Sequence, residues 1–468
     1  MRNGSISIKF ETLKSNKKRI YFLCGFICVV ILFAVIIING SLAKYRTTQS
    51  IPLVNGTINY ELSDLNLIGV YIEDGEDYTK VDQIPDSGYI FNSEKSYCKI
   101  NDEEQDMTIT YDMNTKTLNI APMTIKGTKC YLYFDKETTL KDMILANNTI
   151  NSGTPNFGSI ATIDEGVYKT QDDWGDSYYF RGAVTNNYVK FAGFWWRIIR
   201  INGDGSIRLI YDGTSAHPNG EKDNLNDRQI STSAYNSSFQ DNTYVGYMYG
   251  STGANSYAAT HANNNPSTIK GVLDNWYTEN LANKDNPNKN YEKYISKEAG
   301  FCNDRRIAGA NETFWNGDTK RGYGTNTTAY APFSRFLTTS GSWASTQNPT
   351  LKCSQLSSDM FTPTGSSKGN KKLSNPVGLI TADEVVFAGG KGGTNNQSYY
   401  LYTGQNYWTM SPYGFNDGYA RVFCVASNGF LGYSVVYYTW GVRPVINIDS
   451  DVTISSGDGT SSNPFIIS

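Results

Sequence analysis

Residues Ile20–Ile38 form an unbroken apolar run without a charged side chain. At about 1.5 Å per residue, a helix of this length spans a hydrocarbon core of about 30 Å. It has no polar face to turn toward water, so burial inside a globular core is a poor alternative. Residues 1–19 ahead of it are basic, with Arg2, Lys9, Lys14, Lys17, Lys18 and Arg19 against Glu11. Positive charge on that flank places it in the cytoplasm and the rest of the chain outside. The apolar core of a cleaved secretory signal is typically about 7–15 residues, shorter than this run. The sequence therefore predicts a cytoplasmic basic segment, 1–19, and a retained transmembrane signal-anchor helix, 20–38. The protein is then a single-pass cell-membrane protein with the bilayer as a partner and the bulk of its chain extracellular. Ser41-Leu42-Ala43 leaves cleavage near Ala43, and secretion, open.

An extracellular location sets how the rest is read. At 468 residues the chain exceeds one ordinary domain, so two folded units are expected. The net charge of −3, with no basic block beyond the N-terminus, argues against nucleic acid as a partner. Between residues 57 and 136, short alternating runs (Gly69–Ile72, Tyr89–Phe91, Met107–Tyr111, Thr117–Ile120, Lys129–Phe134) are separated by turn signals. They predict a small β-sandwich stalk. Cys98 and Cys130 sit in strand-like contexts and are expected to pair in an oxidising compartment; two free buried thiols are the alternative. Residues 137–165, with a short helix over Thr139–Ala146, read as a linker. Residues 166–450 read as a head and 451–468 as a C-terminal tail.

Within the head, Asn202-Gly203-Asp204-Gly205 is a tight hairpin turn rather than a calcium loop, since the continuing acidic ligands are missing. Ser267 is the cap of a helix over Ser267–Tyr277, and this accounts for the Ser-x-x-Lys spelling of Ser267–Lys270. Tyr291–Lys297 reads as a second short helix. Thr381 and Glu384 form a capping box, which explains Asp383-Glu384 without an acid–base pair. Cys302 and Cys353 flank a Gly- and Asn-rich loop and are expected to pair. Cys424 is left over.

The stretch Tyr407–Ile448 carries the most functional information. From Pro412 to Thr439 it holds no Lys, Glu, Gln, Met or Trp, and is rich in Tyr, Phe, Ser, Asn, Asp and Gly. Such a palette suits a binding surface, where aromatics give rigid contact area and small polar residues adapt. It also suits an ordinary β-edge. The frame Tyr407-Trp408 … Ser411-Pro412 … Gly441-Val442-Arg443-Pro444-Val445-Ile446-Asn447, with the opening run Phe191–Ile199, resembles a bacterial surface domain of uncharacterised function. That domain is similar to the C-type-lectin-like fold shared with formylglycine-generating enzymes. The resemblance covers Gly166 to Ile448 in pieces. It implies an α+β C-type-lectin-like head, in a chain that is mainly β with some α. Such domains are often diversified by retroelements that alter adenines, and the Pro412–Thr439 palette is what altered Asn codons yield.

The expected ligand-binding residues are Tyr413, Phe415, Asn416, Asp417, Tyr419, Asn428, Phe430, Tyr433, Tyr437 and Tyr438, with Trp408, Trp440, Arg443 and Pro444 as scaffold. The predicted function is a surface-displayed adhesin or receptor-like protein that binds an extracellular protein or glycan. A structural matrix protein released after signal cleavage is one alternative. A carboxylate-based glycoside hydrolase is another, since it needs only two acids. Catalysis is otherwise not expected: His217 and His261 are the only histidines, which removes most Ser-His, Cys-His and His-metal chemistry. No cofactor or metal is implied.

Overall fold

The computed structural model describes residues 66–75, 77–86, 88–112, 115–121, 128–222, 227–309, 322–454 and 457–467. The predicted membrane span, 20–38, lies outside the described residues. Among the described residues no helix is long and apolar enough to cross a membrane. The chain is mainly β and divides into two compact units, Met1–Lys136 and Glu137–Ser468.

The first unit is built from β1 (Asn66–Asp74), β2 (Asp77–Val81), β3 (Tyr89–Ile100), β4 (Glu103–Gln105), β5 (Thr108–Asp112), β6 (Thr117–Ala121) and β7 (Lys129–Lys136). Five strands form one sheet in the order β2-β1-β7-β3-β4, and β5–β6 is a separate hairpin. Side chains alternate between faces along a strand. In β7, Cys130, Leu132 and Phe134 are therefore fully buried while Tyr131 and Tyr133 face the other way. The buried face packs on Ile109 and Leu118 of the hairpin. The expected Cys98–Cys130 disulfide is present, joining residues directly opposite each other on β3 and β7.

The second unit begins at Glu137, so residues 137–165 are not a free linker. The strand Thr138–Thr139 pairs with Thr453–Ile454, and Ile150–Asn151 pairs in parallel with Asp164–Gln171. The helix Leu140–Ala146 is capped by Thr139, and it buries Leu140 and Ile144, which share a face at i, i+4. Asn favours turns, which is why the Asn-rich run looks like a linker in sequence. Here Asn151 instead donates to the carbonyls of Glu165 and Val167, at 2.8 and 3.0 Å. Residues 451–468 are likewise no tail: Phe465–Ile467 adds a parallel strand to Tyr188–Phe191 and buries Phe465 and Ile467.

The larger sheet of this unit runs in the order 445–448, 207–213, 194–201, 176–182, 164–171, 150–151. Its central strand, Phe194–Ile201, is buried along most of its length. Trp196 donates its indole N–H to the Phe191 carbonyl at 3.1 Å, and buried Arg197 is held by Asn187 and the Val184 carbonyl. The next hairpin turns where expected: Asn202 N–H donates to the Ser206 carbonyl and Gly205 takes φ +88°. Asp204 is occupied by Ser206 and by Lys368, 2.9 Å away. The second sheet runs 231–234, 439–442, 407–416, 419–425, 431–435, with 328–329 also paired to 407–416. Ser267 caps the helix Thr268–Asn280, and Thr381 with Glu384 forms the capping box of Ala382–Phe387. The helix expected at Tyr291–Lys297 is only the 3-10 turn Glu292–Tyr294.

Candidate functional site

The strands Tyr407–Asn416 and Tyr419–Val425 are joined by Asp417-Gly418, with φ +51° and +80°. Two positive φ values in a two-residue loop are what a type I′ hairpin requires, and Asp-Gly supplies them cheaply. The chain then turns back into the edge strand Leu431–Val435. Residues 236–239 come alongside the hairpin tip. Ala420 N–H donates to the Phe239 carbonyl at 2.8 Å, Val436 N–H to Ala420 at 3.1 Å, and Asn236 N–H to Val436 at 3.0 Å.

These backbone contacts assemble four rings at one end of the sheet. Phe239 lies flat on Tyr419, with centroids 5.3 Å apart and planes 10° apart. It also meets Tyr437 at 4.8 Å, and Tyr437 meets Tyr438 at 4.7 Å. The Arg421 guanidinium sits 5.5 Å from the Tyr419 ring and bonds both the carbonyl and the side-chain oxygen of Asn416. Tyr419 and Tyr438 remain 36% and 47% exposed. Tyr433, 43% exposed on the edge strand, stacks on Tyr413 at 3.9 Å.

Of the ten residues expected to bind, the structure gathers Asn416, Asp417, Tyr419, Tyr437 and Tyr438 around the tip. Tyr433 lies on the adjoining edge. Tyr413 and Phe415 are only 4% and 1% exposed, so they cannot meet a ligand directly. Their strand is central to the sheet, and Phe333 and Phe423 pack on Tyr413 at 5.1 and 5.4 Å. Asn428 and Phe430, both half-buried, lie at the opposite end of the second hairpin, about 20 Å away along the strand. Asn428 donates to Asn395 there. Phe239 and Arg421 escaped the sequence reading. Arg421 stood inside the chosen stretch, whereas nothing local marks Phe239. Cys424 is buried, which pushes its thiol pKa well up and leaves it a core residue rather than a reactive one.

The scaffold is held by buried arginines. Arg443 donates to the carbonyls of Tyr211 and Leu401 and to Asp212, which also binds Arg228. Trp408 stacks on Trp440 at 5.2 Å and donates to the Ser233 carbonyl.

A cavity of about 30 Å³, with room for about one or two waters, is lined by Asp172, Asp173, Arg200, Arg208, Arg335, Asp383 and Glu384, among others. Glu384 Oε1 lies 3.0 Å from Arg200 and 2.6 Å from Arg208, and Asp172 lies 2.8 Å from Arg200. Arg335 holds Asp383 at 2.7 Å and Asp304 at 2.8 Å. Burial works to raise the Glu384 pKa, yet Arg208 and Arg200 keep it below the usual carboxylate value. Among the lining carboxylates Asp173 makes no direct arginine pair: burial raises its pKa against the backbone N–H of Cys353 and the weaker pull of the Lys352 and Arg200 charges. Four of the five lining carboxylates are tied to arginine. This cluster fastens the helix Ala382–Phe387 to the sheet. Capping alone therefore understated Asp383 and Glu384. The Cys302–Cys353 disulfide closes beside it. No protein-family model, no curated protein and no solved structure matches the chain.

Proposed function

We propose that the chain is a membrane-anchored, surface-displayed ligand-binding protein, adhesin- or receptor-like, with a C-type-lectin-like head. One observation carries this reading. Three of the seven exposed large hydrophobic side chains among the described residues, Tyr419, Tyr433 and Tyr438, come from one short stretch. Tyr419 and Tyr438 join Phe239 and Tyr437 in one aromatic surface, with Tyr433 on the adjoining edge strand, on a unit whose other large apolar groups are mostly buried. Clustered exposed rings rimmed by polar side chains mark interaction sites, and Tyr supplies contact area at low entropic cost. Asn416, Asp417 and Arg421 provide the directional polar contacts at its rim.

The test is a screen of the full chain, in detergent, against glycan and surface-protein arrays, repeated with F239A/Y438A and Y419A. A ligand whose affinity falls at least tenfold in both variants, at unchanged melting temperature, supports the reading. A ligand bound equally by all three proteins overturns the assignment of the face. Diversification of residues 412–439 is tested by sequencing codons 400–450 across a natural population. Changes confined to adenine-containing codons support it, and a clonal stretch removes it. Anchoring is tested by carbonate extraction of membranes: a chain recovered in the soluble fraction, shortened near Ala43, favours the released matrix protein instead.

A further inference from the structure

We infer that the ring cluster at the hairpin tip takes an uncharged oligosaccharide, held without a metal ion. This deepens the reading of that face as the binding site and rests on it. The first observation is charge. Three segments meet at the tip: 231–245, 322–330 and 412–439. Thr328 and Ala329 pair with Phe415 and Gly414, Asn242 N–H donates to the Gly324 carbonyl, and the Phe239 carbonyl accepts from Ala420. Together the three segments hold three charged side chains, Asp241, Asp417 and Arg421, and no Lys or Glu. Asp241 is buried and accepts from the backbone N–H groups of Thr243 and Gly253, each at 2.8 Å. The exposed sequence neighbours of the rings, Ser237, Ser238, Gln240 and Thr439, are hydroxyls and an amide.

Such a surface draws neither a polyanion nor a polycation, and its complement is a neutral group rich in hydroxyls. The second observation is extent. Phe239, Tyr419, Tyr437 and Tyr438 with Asn416, Asp417 and Arg421 make the whole cluster, whereas a protein interface takes about 20–30 residues on each side. A folded partner would need ground well beyond the tip; a short oligosaccharide would not. The third is how the rings stand. Tyr419 is covered by Phe239, stacked at 5.3 Å, and has the Arg421 guanidinium 5.5 Å from its centroid. Tyr438 differs: Tyr437 is tilted from it by 43° rather than stacked on it, and 47% of Tyr438 is exposed. A ring face carries partial negative charge, and the C–H hydrogens on the flat side of a sugar carry the opposite sign. Tyr438 is where that side would lie.

Asp417 supplies the polar contact. The Arg421 guanidinium donates to the Asn416 oxygens, and the Asn416 amide donates to Asp417 Oδ2 at 2.8 Å. Guanidinium, amide and carboxylate thus form one fixed chain across the turn, and Asp417 Oδ1 is the acceptor for a sugar hydroxyl. A hydrogen bond to a charged acceptor is roughly twice as strong as one between neutral groups. The same exposed carboxylate turns away an acidic sugar. A calcium ion takes about 6–8 oxygen ligands, several of them carboxylates, and Asp417 is the one exposed carboxylate of the three segments. The contact is therefore direct, from carboxylate to hydroxyl.

The experiment is affinity electrophoresis of the full chain, in detergent, through gels holding dextran, mannan, galactan or the acidic polygalacturonate. Three variants accompany the wild type. Y438A removes an exposed ring. D417N removes the charge and keeps a turn pair, Asn-Gly, that the hairpin also favours. N428A lies at the far end of the second hairpin and serves as the control. At least one neutral gel should retard the wild type and N428A alike, with affinity at least tenfold lower in Y438A and clearly lower in D417N. EDTA and raised salt should leave the retardation unchanged, and polygalacturonate should cause none. The inference is overturned if no neutral gel retards the wild type, if Y438A or D417N is retarded equally, if EDTA abolishes the effect, or if polygalacturonate binds as tightly. If no neutral gel retards the chain while a protein ligand from the surface array is lost in Y438A, the oligosaccharide falls and the face stands. If the array ligand is bound equally by Y438A and the wild type, the reading of the face falls with it.

Discussion

Replacing Glu384 by Gln isolates the charge of the carboxylate that fastens two arginines. Gln keeps the volume, and its carbonyl still accepts the Thr381 N–H that Glu384 takes at 2.9 Å. The capping contact is thus spared while Arg208 loses its charged partner and Arg200 keeps only Asp172. Both arginines are almost fully buried, at 7% and 1% exposure. Removing one member of a buried pair costs about 3–5 kcal/mol, because the remaining charge stays desolvated. For a unit of about 330 residues, the unfolding entropy is about 0.7 kcal/mol/K, so its melting temperature should fall by about 4–7 °C. Differential scanning calorimetry of the full chain reads this. A second arm uses pH. The arginines hold the Glu384 pKa below its usual value, so the stabilisation is present above about pH 4.5 and is lost as pH falls through the folded value. Wild type and variant should therefore converge on going from pH 6 toward pH 3. A shift below 1 °C at pH 7, or a gap that does not close in acid, refutes the reasoning.

His261, buried between Tyr257 and Tyr330, is held neutral first by burial and then by the Arg305 charge, well below 6.5. The unfolded chain takes up a proton that the native state refuses. Stability is then full above about pH 6.5 and falls by about 1.4 kcal/mol per pH unit below it; urea titrations at pH 7 and 5.5 should show this slope in the wild type and not in H261Q. The double change C302S/C353S opens a link between residues 51 apart and should cost about 4 kcal/mol in the chain-entropy model, read from the same titrations under non-reducing conditions. Tyr413→Ala should destabilise by about 3–5 kcal/mol as a core truncation, whereas Tyr433→Ala should cost under about 1 kcal/mol. Equal losses would mean that burial does not separate the two rings of that stack.

Five of the seven strands of the first unit were legible, at least in part, because each needs only its own alternation, whereas the short edge strands Asp77–Val81 and Glu103–Gln105 were not expected. The caps at Ser267 and Thr381 were legible for the same reason: their partners lie three residues away. What failed depends on distant chain. Phe465–Ile467 and Ile150–Asn151 are too short to announce themselves, and they become strands only because Tyr188–Phe191 and Asp164–Gln171 offer edges. Tyr413 and Tyr433 look alike in sequence, since Tyr suits both a core and a surface. Only the flanking elements decide that the first is covered and the second is not. Phe239 reaches the hairpin tip through backbone bonds to Ala420 that no local pattern encodes. Asp383 and Glu384 read as helix-capping acids, and their arginine partners, Arg335, Arg200 and Arg208, come from three other places in the chain.

The pairings Thr138–Thr139 with Thr453–Ile454, and Tyr188–Phe191 with Phe465–Ile467, bear on how the protein is made. Two early segments of the second unit complete their sheets with residues near its C-terminal end. Synthesis proceeds from the N-terminus, so those early edges stay open until the last strands emerge. A chain exported during synthesis must cross as an unfolded thread for nearly the whole length of this unit. Among the described residues the strands of the first unit pair with one another between Asn66 and Lys136, so it can close long before. Were the chain exported as we propose, the two would be separated in time: a quick first domain, its disulfide available early, and a slow second one that waits for its final strand.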